Sequence, residues 1–279
     1  MKSILITVLK GLWIGGTLTV PGVSGGSMAM ILGVYNKLIE SVGAFMHRGK
    51  DKKKAFFFLL EIGLAGIIGF VLFSRLVSML MVRFPLAICF FFAGAVAGGI
   101  PIILRSAEIK RPKVLDLPFV LIGIVCIFAI SMIPEGLFSI PLTLNIKGIF
   151  LQLICGILVA IGFVLPGVSL SQMLYVLGIY EDLMNHVSRL DVLPLIPLAV
   201  GGVLGILLTA YAVEALLRRF PRATYLVIFG FMLGSLPEIF AGKDFGGLAW
   251  FHYLLFALLS LVGFAAIFTM SLSELKKAK

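Results

Sequence analysis

The sequence predicts an all-α integral membrane protein built as an inverted-topology repeat, with two re-entrant helix hairpins and about six full transmembrane helices. Three observations lead there. The 279 residues are 61% hydrophobic and only 13% charged, with a mean hydropathy of +1.16. A soluble domain is about 45–50% apolar and about 25% charged. The apolar residues form long runs at 56–82, 86–104, 117–133, 194–217, 222–240 and 250–271, most of them near the ~20 residues that a helical bilayer crossing needs. A polar, helix-breaking segment also occurs twice: PGVSGGSMAMILGVYNKLIESV at 21–42 returns as PGVSLSQMLYVLGIYEDLMNHV at 166–187. The runs lack the alternation of lipid-facing and lumen-facing residues that a β-barrel requires.

The elements follow in chain order. The first half, 1–146, holds a re-entrant hairpin at 3–42 and the spans 56–82, 86–104 and 117–133. Its lead-in, 3–20, lies between Lys2 and the motif; no small-x-small cleavage site follows it, so it reads as structure and not as a leader. The second half, 147–279, holds a re-entrant hairpin at 148–187 and the spans 194–217, 222–240 and 250–271. The halves match residue by residue. Pro21, Gly22, Val23 and Ser24 pair with Pro166, Gly167, Val168 and Ser169, and Leu32, Gly33 and Tyr35 pair with Leu177, Gly178 and Tyr180, 145 positions on. Beyond the motif the spacing becomes 136: Gly66, Gly69, Arg83, Phe84, Pro85, Gly94, Gly98 and Pro101 match Gly202, Gly205, Arg219, Phe220, Pro221, Gly230, Gly234 and Pro237. The loop His47–Lys54, longer than its partner, absorbs the difference.

Charge sets the orientation. Arg48, Lys50, Lys52, Lys53 and Lys54 follow the first motif; Arg105, Lys110, Arg111 and Lys113 precede span 117–133; Arg218, Arg219 and Arg222 join spans 194–217 and 222–240; Lys276, Lys277 and Lys279 end the sequence. With each hairpin returning to its own side, each half crosses three times, and all four clusters, with both termini, fall on the cytoplasmic side. An odd number of crossings puts the second half in upside down, whether the hairpin arms turn back or cross fully. A re-entrant path is expected because Pro-Gly-Val-Ser-Gly-Gly breaks a helix, and unwound backbone at membrane depth must be buried in protein or line a wet cavity.

The formal charge of +10 is explained by this distribution, and no nucleic-acid motif accompanies it. Cys89, Cys126 and Cys155 are too widely spaced for a disulfide framework or a metal site. No cofactor is expected, although coupling to H⁺ or Na⁺ is open. The many aromatic residues read as lipid-facing or packing side chains, and the Gly94/Gly98 and Gly230/Gly234 spacings read as tight helix seams.

The motif itself carries the chemistry. Pro21 disfavours helix before it. Gly22, Gly25 and Gly26 open backbone space, and Ser24 and Ser27 are placed to cap a helix starting near Met28. Free N–H groups and hydroxyls at such a break suit an anion. The second copy supplies Ser169, Ser171 and the amide of Gln172. If inverted symmetry brings the two breaks together near the midplane, they jointly hold a phosphate-like group. Among ionisable residues at membrane depth, Arg75 is the candidate to neutralise that anion, and Glu61 and Glu214 are candidates to carry a proton. Glu214 also lies four residues before Arg218 and is placed to pair with it.

The paired PGVSGGS…GVY and PGVSLS…GIY motifs, in two membrane-embedded halves, resemble the polyprenyl-phosphate transporters, the undecaprenyl-phosphate translocases of bacteria and archaea. The resemblance covers nearly the whole sequence. It implies a carrier, not an enzyme, in the cytoplasmic membrane, which flips undecaprenyl phosphate from the outer to the inner leaflet for reuse in cell-envelope synthesis. Its partners are then the polyprenyl phosphate and membrane lipids, with a homo-oligomer left open. By motif position it points to Ser24, Gly25, Gly26 and Ser27, and to Ser169, Ser171 and Tyr180. Asn36 departs from the acidic residue expected after the tyrosine, which Glu181 keeps. Two other readings stand beside it. The same site would serve a secondary transporter of a small soluble anion. Undecaprenyl-pyrophosphate phosphatases also share two inverted halves, but they carry an arginine beside the motif serine and an ExxxE pair; here Gly25 and Leu170 follow the serines, and no ExxxE occurs.

Overall fold

A computed structural model describes residues 2–18, 23–46, 51–107, 113–134, 136, 142–189 and 191–277. Pro21 and Gly22 of the first motif lie outside the described residues, as do Arg48, Lys50, Lys110, Arg111 and Lys279. The described residues are helical throughout their ordered elements, with no strand among them. In the first half α1 is Lys2–Thr17, α2 Gly25–Ile31, α3 Tyr35–Gly43, α4 Lys52–Arg83, α5 Pro85–Ser106 and α6 Leu117–Ser131. In the second α7 is Ile146–Val164, α8 Leu170–Val176, α9 Tyr180–Ser188, α10 Ile196–Arg219, α11 Pro221–Ile239 and α12 Trp250–Lys277.

Local signals set the boundaries. Asp51 caps α4 by accepting from the Lys54 N–H at 3.2 Å, and hydrogen bonding to Lys54 holds the Asp51 carboxyl below the usual carboxylate range. Asn145 caps α7 through the Gly148 N–H at 2.6 Å. Pro85 and Pro221 open α5 and α11, where a missing N–H removes no helical bond. The residue before each proline adopts nearly the same backbone: φ −138°, ψ 57° at Phe84 and φ −135°, ψ 58° at Phe220. Arg83 and Arg219 then lie over the adjoining Phe84 and Phe220 rings, at 5.8 and 5.5 Å. The duplication read from the sequence is therefore repeated in dihedral angles.

Two expectations change. The stretch after each motif break is not one helix but two, because Gly33 (φ +69°) and Gly178 (φ +67°) end α2 and α8 in the left-handed region. The bonds that close each turn are the same: Val34 N–H to the Ala29 carbonyl at 2.9 Å, and Ile179 N–H to the Leu174 carbonyl at 3.1 Å. This is the glycine-terminated helix end that a residue with a Cβ resists. Helix α2 also starts at Gly25, before Met28, so Ser24 alone is its cap and Ser27 sits in its first turn.

Among the described residues six helices are long and apolar enough to cross a membrane: α4, α5, α6 with the short turn before it, α7, α10 with the turn before it, and α12. The set is not the expected one. Helix α7, assigned above to a re-entrant arm, spans 19 residues and is included. It takes the place expected of α11, which carries Arg222, Thr224, Ser235, Pro237 and Glu238 along its length.

Helix pairs are held by backbone-to-backbone seams at glycine, the usual device where lipid removes the hydrophobic drive for association. On α1 and α4, a methyl at Gly15 would overlap the Gly66 carbonyl, and one at Gly69 would overlap Leu12. On α7 and α10 the same holds for Gly156 against Leu198 and Gly201 against Leu153. The next pairs exchange partners between halves. Helix α5 packs on α12, with Gly94 against Ser260, Gly98 against Phe264 and Gly263 against Phe91; α6 packs on α11, with Gly230 against Val120 and Gly123 against Val227. Asp116, just before α6, closes that second pair by a bidentate contact with Arg222, at 2.8 and 2.7 Å. The core lies where α2, α3, α5, α10 and α11 meet, and most large apolar side chains of α4 and α12 face outward, as a lipid-facing surface requires.

Candidate functional site

Ser24 is in extended backbone (φ −88°, ψ 146°) and buried. Its Oγ accepts from the Ser27 N–H at 3.0 Å and from the Gly167 N–H at 2.9 Å. Those two bonds occupy both lone pairs, so the Ser24 hydroxyl proton goes to Ser27 Oγ, 2.9 Å away. Ser27 then keeps its own O–H as a donor at this junction. The second motif arrives with Gly167 in the left-handed region, φ +88°, where a Cβ would also press on the Phe231 carbonyl. Gly26 fits against Pro166: a Cβ there would stand 3.0 Å from the Pro166 nitrogen and 3.1 Å from the Val164 carbonyl oxygen. A further tie runs from the Tyr35 hydroxyl to the Val164 carbonyl at 3.2 Å. The two motifs, 145 residues apart in sequence, are thus in direct contact.

The second motif is more open. Ser169 is buried and lies 3.0 Å from Ser171 Oγ, but makes no side-chain cap to α8. Ser171 is exposed. Gln172 donates to Ser131 Oγ at the end of α6, at 3.1 Å. Of the sequence-derived residues, the structure brings Ser24 and Gly26 against the stretch that leads to Ser169, while Ser27 is bonded to Ser24 and Gly25 faces Ile14 and Leu18. Glu214 is buried on α10, pairs with Arg218 at 2.9 Å and sits on the backbone of Gly43 in α3, the i,i+4 pairing anticipated from sequence. Glu61 is half-buried on α4, with Oε1 enclosed and without a hydrogen-bond partner. Arg75 is exposed on α4. Among the described residues no hydrogen bond or ion pair joins Arg75 or Glu61 to either motif.

Sequence reasoning missed several members. Gly167 acts through its N–H and Val164 through its carbonyl, and a backbone donor leaves no composition signal. Tyr35 stood in the repeated GxY but was given no role in the first copy.

Membrane-length helices and two broken-helix motifs in direct contact define a polytopic helical membrane protein by class. The comparisons make it particular. A family model described as undecaprenyl phosphate translocase-like matches residues 14–250, and the chain belongs to that family. It is similar to a polyprenyl-phosphate transporter of Vibrio cholerae serotype O1, 29% identical over 257 residues, covering 86% of this chain and 79% of the relative. It is also similar to a polyprenyl-phosphate transporter of Staphylococcus aureus, 32% identical over 278 residues, covering 96% and 95%. No solved structure gives a significant match to the chain.

Proposed function

We propose that this protein carries polyprenyl phosphate, of the undecaprenyl phosphate class, from the outer to the inner leaflet of the cytoplasmic membrane for lipid-carrier recycling. In this reading the halves are an inverted-topology repeat with both termini cytoplasmic, and the headgroup passes the junction of the two motifs. The observation that carries it is the Ser24 Oγ to Gly167 N–H bond, which joins two polar breaks that apolar helices would not otherwise tolerate. The relatives' names support the cargo. Helices α2 and α8 are seven residues each, so they contribute hydroxyl and N–H donors more than a long helix dipole. The isoprenoid tail stays in lipid while the phosphate exchanges water for Ser27, Ser169, Ser171 and Gln172. Arg75 is the cation proposed to meet the phosphate.

Moving one negative charge inward against 100 mV costs ~2.3 kcal/mol. Protonation of the phosphate, or a co-transported cation, removes that penalty, and Glu61 and Glu214 are the proposed proton carriers. The test is flipping of a short-chain polyprenyl phosphate in liposomes. Wild-type protein is expected to flip it and to respond to imposed ΔpH or voltage, and the triple variant Ser27→Ala, Ser169→Ala, Ser171→Ala to fall to the level of protein-free liposomes. Normal flipping by that variant removes the junction from the mechanism. Transport of inorganic phosphate instead would favour the small-anion reading, and phosphate release from undecaprenyl pyrophosphate would make the chain an enzyme.

A further inference from the structure

The duplication assigns every residue of α3 a counterpart in α9, and every residue of α10 near Glu214 a counterpart in α4. Matched positions are not in matched surroundings. Helix α3 is docked on α10: Tyr35, Ile39 and Gly43 are buried, and Gly43 lies on the Glu214 carboxylate. The face of α10 that receives it, Ala210, Val213 and Glu214, is at most 5% exposed. The counterparts of those three are Ser74, Val77 and Ser78 on α4, where Ser78 is exposed and the other two are half-buried. No residue of α9 is buried; Met184, the counterpart of Ile39, is 42% exposed, and Ser188, the counterpart of Gly43, is exposed.

The open face of α4 is also the polar one. Ser74, Arg75 and Ser78 share one side of a helix otherwise dressed in Leu, Ile, Val and Phe. Ser74 turns back onto the Val71 carbonyl, a local remedy that a guanidinium lacks. Helix α9 ends in small Ser188, the counterpart of the Gly43 that lies on Glu214.

We propose that α9 docks on the Ser74–Ser78 face of α4 in a second state of the protein, as α3 docks on α10 in this one, so that Ser188 meets Ser78 and the α8–α9 hairpin is the gate. The exchange gives the two halves each other's arrangement, which an inverted repeat can do at little net change in energy. It rests on the transport reading for its purpose, but its geometry is tested without it.

The experiment replaces Cys89, Cys126 and Cys155 by Ala and adds Ser78→Cys with Ser188→Cys, or Asn36→Cys with Tyr225→Cys. The second pair is joined by a side-chain hydrogen bond in the present arrangement. Reconstituted protein is treated with a short bis-methanethiosulfonate, at rest and while supplied with polyprenyl phosphate. We expect the 36/225 pair to crosslink at rest, and the 78/188 pair to crosslink above its single-cysteine controls during turnover. Each crosslink should reduce flipping to that of protein-free liposomes, with recovery on reduction. A 78/188 yield no higher than the single-cysteine controls under turnover overturns the proposal, as does full flipping by protein crosslinked at 36/225. A chain that crosslinks at 78/188 without flipping the lipid keeps this motion and loses the cargo; flipping without the crosslink does the reverse.

Discussion

Helices α2 and α3 and helices α8 and α9 repeat one another in length and turn geometry and are set in two different places. From Gly26 to Ile31, α2 is buried, and α3 is wedged between α4 and α10. Helix α8 buries Leu174 and Val176, and α9 buries nothing. The local fold of a duplicated segment therefore follows from its residues, the glycine at 33 or 178 above all. Its burial depends on what the rest of the chain brings to it. Small differences between copies mark the contrast: Gly26 fits under Pro166 where the second copy has Ser171, and Gly43 admits the Glu214 carboxylate where the second copy has Ser188.

Matched substitutions in the two copies test that contrast, and the largest effect is expected at the tightest contact. Gly26→Val drives a side chain into Pro166 and should destabilise by about 3 kcal/mol, while Ser171→Val should stay within about 0.5 kcal/mol because the site is exposed. Both are read as unfolding midpoints in detergent; equal losses would mean the two hairpins are equally enclosed. Next, Ser24→Ala leaves the Ser27 and Gly167 N–H groups without their acceptor and should cost about 2 kcal/mol, against under about 1 kcal/mol for Ser169→Ala, which caps nothing. Arg218→Ala removes an ion-pair partner of buried Glu214; with Arg218 itself 60% exposed, the loss should be about 1 kcal/mol. The matched change Val82→Ala, at a position 85% exposed, should be silent. The smallest expected effect is Tyr35→Phe, about 0.6 kcal/mol for one interhelical hydrogen bond in a membrane protein. Tyr180→Phe, whose ring stacks on Tyr175 at 4.1 Å, should be neutral, since stacking survives loss of the hydroxyl.

Much of this was legible beforehand. Apolar run length located α4, α5, α6, α10, α11 and α12 within a few residues, apart from the C-terminal end of α12, because long unbroken apolar runs bounded by polar or proline-bearing turns fold as helices. The glycine spacings at 94/98 and 230/234 announced close seams but not their partners. That α5 joins α12 and α6 joins α11 is decided by three-dimensional topology, on which a one-dimensional pattern is silent. The contact of the two motifs was inferred from their duplication, yet its chemistry runs through the Gly167 N–H and the Val164 carbonyl, which every residue type shares. The outward position of Arg75 was not legible either, because the pattern shows that a charge sits in a span but not which neighbour its face meets.

The exchange of α6 and α12 between halves bears on how such a protein is made. Until α12 has been synthesised, the Gly94–Gly98 strip of α5 has no backbone to close on, so the first half leaves the ribosome unfinished. A chain cut short after Gly247 should therefore be cleared by membrane proteases rather than persist as a stable fragment. Split genes encoding the halves separately should yield folded protein only when both are expressed together.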